Sequence, residues 1–140
     1  GFDHVIDYTT TDFEAEVMRL TNGVGVDVAY DSVGNDTMAR SITSTKRRGT
    51  IIAFGQSSGA YADFKIGDLA KGSYYLSRPT LFHFVGDRTW LDAASAKLFK
   101  VVTDGTIDVS INQRFALEDV AKAHDALTGR ATTGCTVLTV

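Results

Sequence analysis

The chain has 140 residues, 44% of them apolar, which suffices for one compact core but is short for an enzyme that must wrap a dinucleotide and a substrate together. Its 14 basic and 17 acidic residues leave a net charge of -3, so it lacks the electrostatic footprint of a protein that binds nucleic acid or an anionic membrane surface. A lone cysteine, Cys135, excludes an internal disulfide framework, and His4, His83 and His124 have no ligand spacing, so no metal site is expected.

In chain order, "HVIDY" (4–8) is the first expected strand. Thr11 and Glu14 then fit a capping box for a helix from about Asp12 to Thr21, with Phe13, Val17 and Leu20 on one face and Gly23 past its end. "VDVAYDSV" (26–33) is a Val-rich apolar run of the kind found in strands covered on both faces. Asn35 or Asp36 caps the next helix, which carries Met38 and Ile42 inward and runs to Gly49, so that "TKRRG" (45–49) puts positive charge at its end. "GTIIAFG" (49–55) is a third, buried strand.

A loop with a short helix near Gly67 to Lys71 leads to "SYYLSRPTL" (73–81), where Pro79 argues for an edge strand or a strand end. Asp87 caps a helix with Leu91, Ala94, Leu98 and Val101 on one face, ending before Gly105. "TIDVSI" (106–111) is a fifth strand, Leu117 to Leu127 an amphipathic helix, and "GCTVLTV" (134–140) the closing strand. This alternation is that of an α/β protein with a largely parallel sheet.

Ligands of open α/β sheets bind beyond the carboxyl ends of the strands. Those positions here are small and polar: Asp31 to Gly34, Phe54 to Ser57, and Thr80 to Phe82. Gly34 and Gly55 let a ligand approach the backbone, or simply make turns. "GQSSG" (55–59) also matches the GxSxG elbow of serine hydrolases, with Ser57 as nucleophile and Asp104 or Asp108 and then His124 in the required order. "AYADFKIG" is a poor helix start after such an elbow, and His124 shares a helical stripe with Val120 and Leu127, which reads as packing. Arg130, between a helix end and the last strand, either complements the helix dipole or grips a phosphate.

No apolar run is long enough for a membrane span, and the opening Gly-Phe-Asp-His lacks a signal core, so a soluble cytoplasmic protein is expected. The start in mid-pattern, without Met and without a GxGxxG before residue 26, reads as a piece of a longer chain.

Five blocks, "GFDHVIDY", "GVDVAYDSVGNDT", "RGTIIAFGQSSG", "LSRPTLFHF" and "RATTG", together resemble the quinone oxidoreductases of the medium-chain dehydrogenase/reductase superfamily, in its zinc-free, zeta-crystallin-like branch. The resemblance covers essentially the whole chain. It implies that residues 1–106 are the later part of a Rossmann domain and 107–140 a return to a GroES-like catalytic domain, the glycine-rich turn lying upstream. It places Tyr8 near the adenosine ribose or its 2′-phosphate, Ser32 and Gly34 at a strand end facing the cofactor, and Phe54, Gly55, Gln56 and Ser57 along the adenosine and ribose side. Thr80, Leu81 and Phe82 fall near the nicotinamide, and Arg130 on cofactor phosphate or ribose.

The reaction implied is hydride transfer from NADPH, or NADH, to a quinone or activated enone. That chemistry belongs to the cofactor and needs no visible acid/base pair, so no catalytic residue is assigned. The isolated piece is expected to be inactive, and a homodimer through the edge strand Tyr74 to Leu81 is implied. A serine hydrolase using Ser57 and a non-enzymatic Rossmann-like interaction module are the alternatives. In the strand order 3-2-1-4-5-6, "HVIDY" and "VDVAYD" would stand about 14 Å apart, at about 4.8 Å per interval, across two missing strands. Direct pairing, a swap with another copy, or a displaced "HVIDY" is therefore expected.

Overall fold

The structure is a computed structural model that describes residues 2–140. It divides into two compact units, Gly1–His83 and Phe84–Val140.

In the first unit, residues 4–7 form no strand and Val5 is 85% exposed, against the expectation for "HVIDY". The segment ends in a turn in which Asp7 Oδ1 accepts from the Thr9 amide (2.9 Å) and hydroxyl (2.6 Å), and these bonds hold the Asp7 carboxyl below its usual pKa. Helix α1 is Phe13–Leu20. Its cap is Asp12 rather than Thr11, because the Asp12 carboxylate accepts from the Glu14 and Ala15 amides and complements the helix dipole. At its other end Asn22 takes φ +53 while Gly23 N donates to Met18 O (2.7 Å) and Asn22 N to Arg19 O (3.3 Å), a Schellman closure with Asn in the left-handed place.

Strands β1 (Val26–Asp31), β2 (Thr45–Ala53) and β3 (Tyr75–Ser77) form a parallel sheet in that order. Helix α2, Met38–Thr43, packs on β1 and β2. Met38, Ile42, Ile51 and Ala53 make the core, flanked by Tyr61, Phe64, Tyr74 and Leu76. The face of β1 carrying Val28 and Tyr30 is bare, with Tyr30 74% exposed, so the expected cover on both faces is absent. Nor does β1 have a strand on its other edge. Direct pairing with 4–8 is not found; a cavity of ≈ 310 Å³ lies where Ile6 and Tyr8 face Tyr30 and Ser32.

The second helix ends six residues before Gly49. Thr43, Ser44 and Thr45 are poor helix formers, and Ser44 and Thr45 are buried as the chain turns straight into β2. "TKRRG" is thus part of a strand. The ladder jumps from Val26↔Thr45 to Val28↔Thr50, so residues 46–49 bulge, with Arg48 at φ +62 and Lys46 paired to Asp27. Gly49 belongs to this bulge, since a Cβ there would lie 2.5 Å from Thr45 Cγ2. The loop helix is a 3₁₀ turn, Ile66–Lys71, and β3 stops before Pro79 as an edge strand. Helix α3 is the short Phe82–Val85.

In the second unit, Asp87 caps α4 (Arg88–Thr103) by accepting from the Thr89 and Trp90 amides, as expected. No residue of α4 is buried, and Leu98 is 56% exposed. Strands β4 (Ile111–Ala116) and β5 (Cys135–Thr139) are parallel, joined through α5 (Val120–Thr128), a βαβ unit. The strand expected at 106–111 lies later, because Asp104 Oδ1 accepts from the Thr106 amide and hydroxyl and ties that stretch into a turn. His124, expected to pack, is exposed on α5.

Candidate functional site

Two loops leave the carboxyl ends of β1 and β2 and are joined by hydrogen bonds. Ser57 N donates to Ser32 O (3.2 Å), Ser58 N to Val33 O (2.8 Å), and Asn35 N to Gly59 O (3.0 Å). The Ser58 hydroxyl donates to Val33 O and accepts from the Asp36 amide. Asp31, at the end of β1 and 3% exposed, accepts at Oδ1 from the Val33 and Gly34 amides and at Oδ2 from the Thr37 and Ser41 hydroxyls.

This seam explains two glycines differently from the sequence. Gly34 has φ +90, and a Cβ on it would meet Gly59 O at 2.5 Å. A Cβ on Gly55 would meet Ser32 O at 2.5 Å. Both are required by the approach of one loop to the other, before any ligand is considered.

Cavities flank the Ser32–Gly34 loop. One, of ≈ 250 Å³, brings Gly34, Gly55 and Gln56 together with Met38, Tyr61, Phe64, Leu76 and Arg78. The other joins Tyr8 and Ser32 with Tyr30 and Asp31. Each is at or near the lower end of the roughly 300–1,000 Å³ of a small-molecule site, so neither alone encloses a dinucleotide. Phe54 is half-exposed and meets Tyr30 edge-on, ring centroids 6.5 Å apart. Ser57, Thr80, Leu81 and Phe82 line neither cavity, and Leu81 and Phe82 are exposed. Arg130 lies in the other unit, at φ +55 just past α5, where Arg130 N donates to Leu127 O and Ala131 N to Ala126 O. That is a helix-closing position that glycine fills at no strain, and here an arginine bears it.

The elbow required of a serine hydrolase is absent. Residues 57–58 form a turn followed by no helix until Ile66, and the exposed Ser57 is offered no strand-to-helix corner.

A family model described as "Zinc-binding dehydrogenase" matches residues 1–138. The chain belongs to the zinc-binding dehydrogenase family. Among curated relatives, the quinone oxidoreductase of Pseudomonas aeruginosa is 42% identical over 139 residues, covering 99% of this chain and 43% of that protein. The 2-haloacrylate reductase of a Burkholderia species is 39% identical over 140 residues, covering 99% and 42%. The structure of Escherichia coli quinone oxidoreductase complexed with NADPH superposes with a TM-score of 0.92 at 38% identity, over 98% of this chain and 43% of that one. The chain thus spans less than half the length of these relatives, and it matches their C-terminal half. Its α/β fold with parallel sheets is that of the Rossmann-like part of the quinone oxidoreductases.

The family's name implies zinc, but the residues present do not fit it. Among the described residues, no three His, Cys, Asp or Glu side chains come together as a ligand set. Sequence reading missed Asp31 as an organising group and Tyr61, Phe64 and Arg78 as cavity walls. Asp31 carried a legible signal, an acid closing an apolar strand with hydroxyl residues six and ten positions on.

Proposed function

We propose that this chain is the C-terminal, cofactor-binding part of an NADPH-dependent quinone oxidoreductase that reduces a quinone or an activated enone. The observation that carries the reading is the superposition of nearly the whole chain on an enzyme solved with NADPH, with the seam of the two loops at the strand ends where α/β sheets take ligands. Bound NADPH supplies the hydride. The chain's own residues hold and orient it: Tyr8 and Ser32 on one side of the loop, and Gly34, Gly55 and Gln56 on the other. The resemblance alone implies a phosphate or ribose contact for Arg130. Ser57, Thr80, Leu81 and Phe82 line neither cavity and are proposed as cofactor contacts on the resemblance alone.

In the order 3-2-1-4-5-6, the turn that grips the pyrophosphate and the acid that holds the adenosine ribose both belong to the first half of the sheet. By the resemblance, β1 to β3 are the second half. Their position supports a nicotinamide-side role for Phe54 to Ser57 in place of the adenosine side. Residues 107–140 are proposed to return to the catalytic domain of the whole protein, which would act in the cytoplasm.

No glycine-rich turn is present, and the Thr37 and Met38 amides at the start of α2 already donate to Gly34 O. NADPH binding by these 140 residues is therefore expected to be weaker than about 1 mM, without turnover of a quinone. In a titration followed by amide NMR, shifts at Ser32, Gly55 and Gln56 support the reading; micromolar affinity contradicts the weak-binding expectation, and no response at any concentration removes cofactor binding.

The edge strand β3, within the segment Tyr74 to Leu81, is the proposed route to a homodimer. Sedimentation equilibrium is expected to give twice the 15.1 kDa chain mass, and a monomer at all concentrations would exclude it.

A further inference from the structure

Asp31 is a buried carboxylate with all its acceptor sites in use. Oδ1 takes the amides of Val33 (3.0 Å) and Gly34 (2.8 Å), and Oδ2 takes the hydroxyls of Thr37 (2.8 Å) and Ser41 (2.6 Å). Its carbonyl oxygen accepts from Phe54 N (2.9 Å) and Gly55 N (3.3 Å). One residue therefore touches the first loop, the start of α2 and the second loop. Among the described residues no basic side chain pairs with it. An unpaired buried carboxylate is costly, so its donors must be good, and hydrogen bonds to an ionised acceptor are roughly twice as strong as neutral ones. The stronghold is local. The Oδ1 pair fixes the backbone on both sides of Val33, which leaves Ser32 exposed at the strand end and Gly34 buried against Gly59.

We propose that Asp31 is the positioning residue of the cofactor edge, holding the Val33 and Gly34 amides so that Gly34 stays seated against Gly59 and Ser32 is presented to the cofactor. This rests on the reading above that the Ser32–Gly34 loop faces NADPH. Asp31 touches neither cofactor nor substrate; it acts through the loop. The role requires an acceptor at Oδ1, and it does not require the charge. In Asp31→Asn the amide oxygen keeps the two backbone donors, and the Thr37 and Ser41 hydroxyls rotate to accept from the new NH₂. Ser41→Ala removes a partner of Oδ2 only, so it weakens the fold and leaves the loop in place.

The test uses the ¹⁵N-labelled chain, with amide hydrogen exchange and NADPH-induced amide shifts read in parallel. Asp31→Ala is expected to speed exchange at Val33 and Gly34 about tenfold or more relative to Ile51 and Ile52, the consequence of losing bonds to a charged acceptor, and to abolish the NADPH shifts at residues 32–34. Asp31→Asn is expected to retain both within about twofold. Ser41→Ala is expected to lower the melting temperature with both readouts intact. Should Asp31→Ala fail to fold, the other two variants decide. Loss of the NADPH shifts in Asp31→Asn would mean that charge, not loop geometry, matters. Their loss in Ser41→Ala would reduce the role to stability. Either result overturns the proposal, as does a folded Asp31→Ala with unchanged shifts. A wild-type chain without NADPH shifts at residues 32–34 fails differently: it refutes the cofactor reading itself, and the Asp31 proposal falls with it.

Discussion

Gly34→Ala is expected to destabilise the first unit by about 3 kcal/mol. A left-handed backbone costs an L-residue roughly 1–2 kcal/mol. The added methyl would also lie 2.5 Å from the Gly59 carbonyl oxygen and 3.0 Å from Gln56 Cα, both backbone atoms that cannot rotate away. Relief requires the two loops to part, which breaks bonds such as Asn35 N to Gly59 O and Ser58 N to Val33 O, each worth about 1 kcal/mol net. For a unit of this size the melting temperature should fall by roughly 12–24 °C. Gly59→Ala is the matched control. It also has positive φ, +103, but nothing lies within 4 Å of its Cβ, so only the strain is paid. Equal melting temperatures for the two variants would show that the loops are not in contact in solution.

Ile51→Ala should be as damaging for a different reason. Ile51 is 0% exposed near the middle of β2, and among the described residues of the first unit its buried apolar neighbours in the core are Met38, Ile42 and Ala53. Truncating a buried isoleucine costs about 2–5 kcal/mol, the larger values where the cavity cannot collapse. Here a sheet paired on both sides, with Ala29 of β1 and Leu76 of β3 opposite Ile51, resists collapse, so about 4 kcal/mol is expected. A small domain has little stability to lose. Urea unfolding should therefore shift to a much lower midpoint or lose its cooperativity. Tyr30→Ala, on the bare face of β1, should change stability by no more than about 0.5 kcal/mol. A comparable loss from Tyr30→Ala would show that this face is covered in solution.

The part of the site legible in the sequence was its address. The small polar residues follow apolar runs expected as strands to 33 and 55; the structure ends those strands at Asp31 and Ala53 and pairs the two residues side by side at the carboxyl ends of a parallel sheet. The reason for those residues was not legible. Gly34 and Gly55 look like concessions to a ligand until the facing carbonyls of Gly59 and Ser32 are in view. Asp31 looks like one more polar strand end until its four donors are counted, because they come from positions two to ten residues away that only α2 folds back.

Two of the failures share one cause. "HVIDY" has the composition of a strand, but a strand exists only where a neighbour supplies ladder partners, and none does here. The run to Gly49 has helical spacing, yet Ser44 and Thr45 are drawn into the sheet by pairing with β1, whose Val26 amide donates to Ser44 O at 2.9 Å. "TIDVSI" was displaced by the local competition of Asp104 for the Thr106 amide and by the register of β4 on β5.

By itself, then, the sequence determined the local elements with strong signals of their own: helix α1, α4 with its aspartate cap, the alternating α/β order, the edge character of β3 and the family resemblance across the chain. Only the tertiary structure decided which extended segments became strands, where α2 gave way to β2, and why two glycines and a buried aspartate stand at the ends of β1 and β2. Caps and helical periodicity are satisfied within a few residues, whereas ladder bonds, close backbone approach and the solvation of a buried carboxylate depend on groups distant in sequence that meet only on folding.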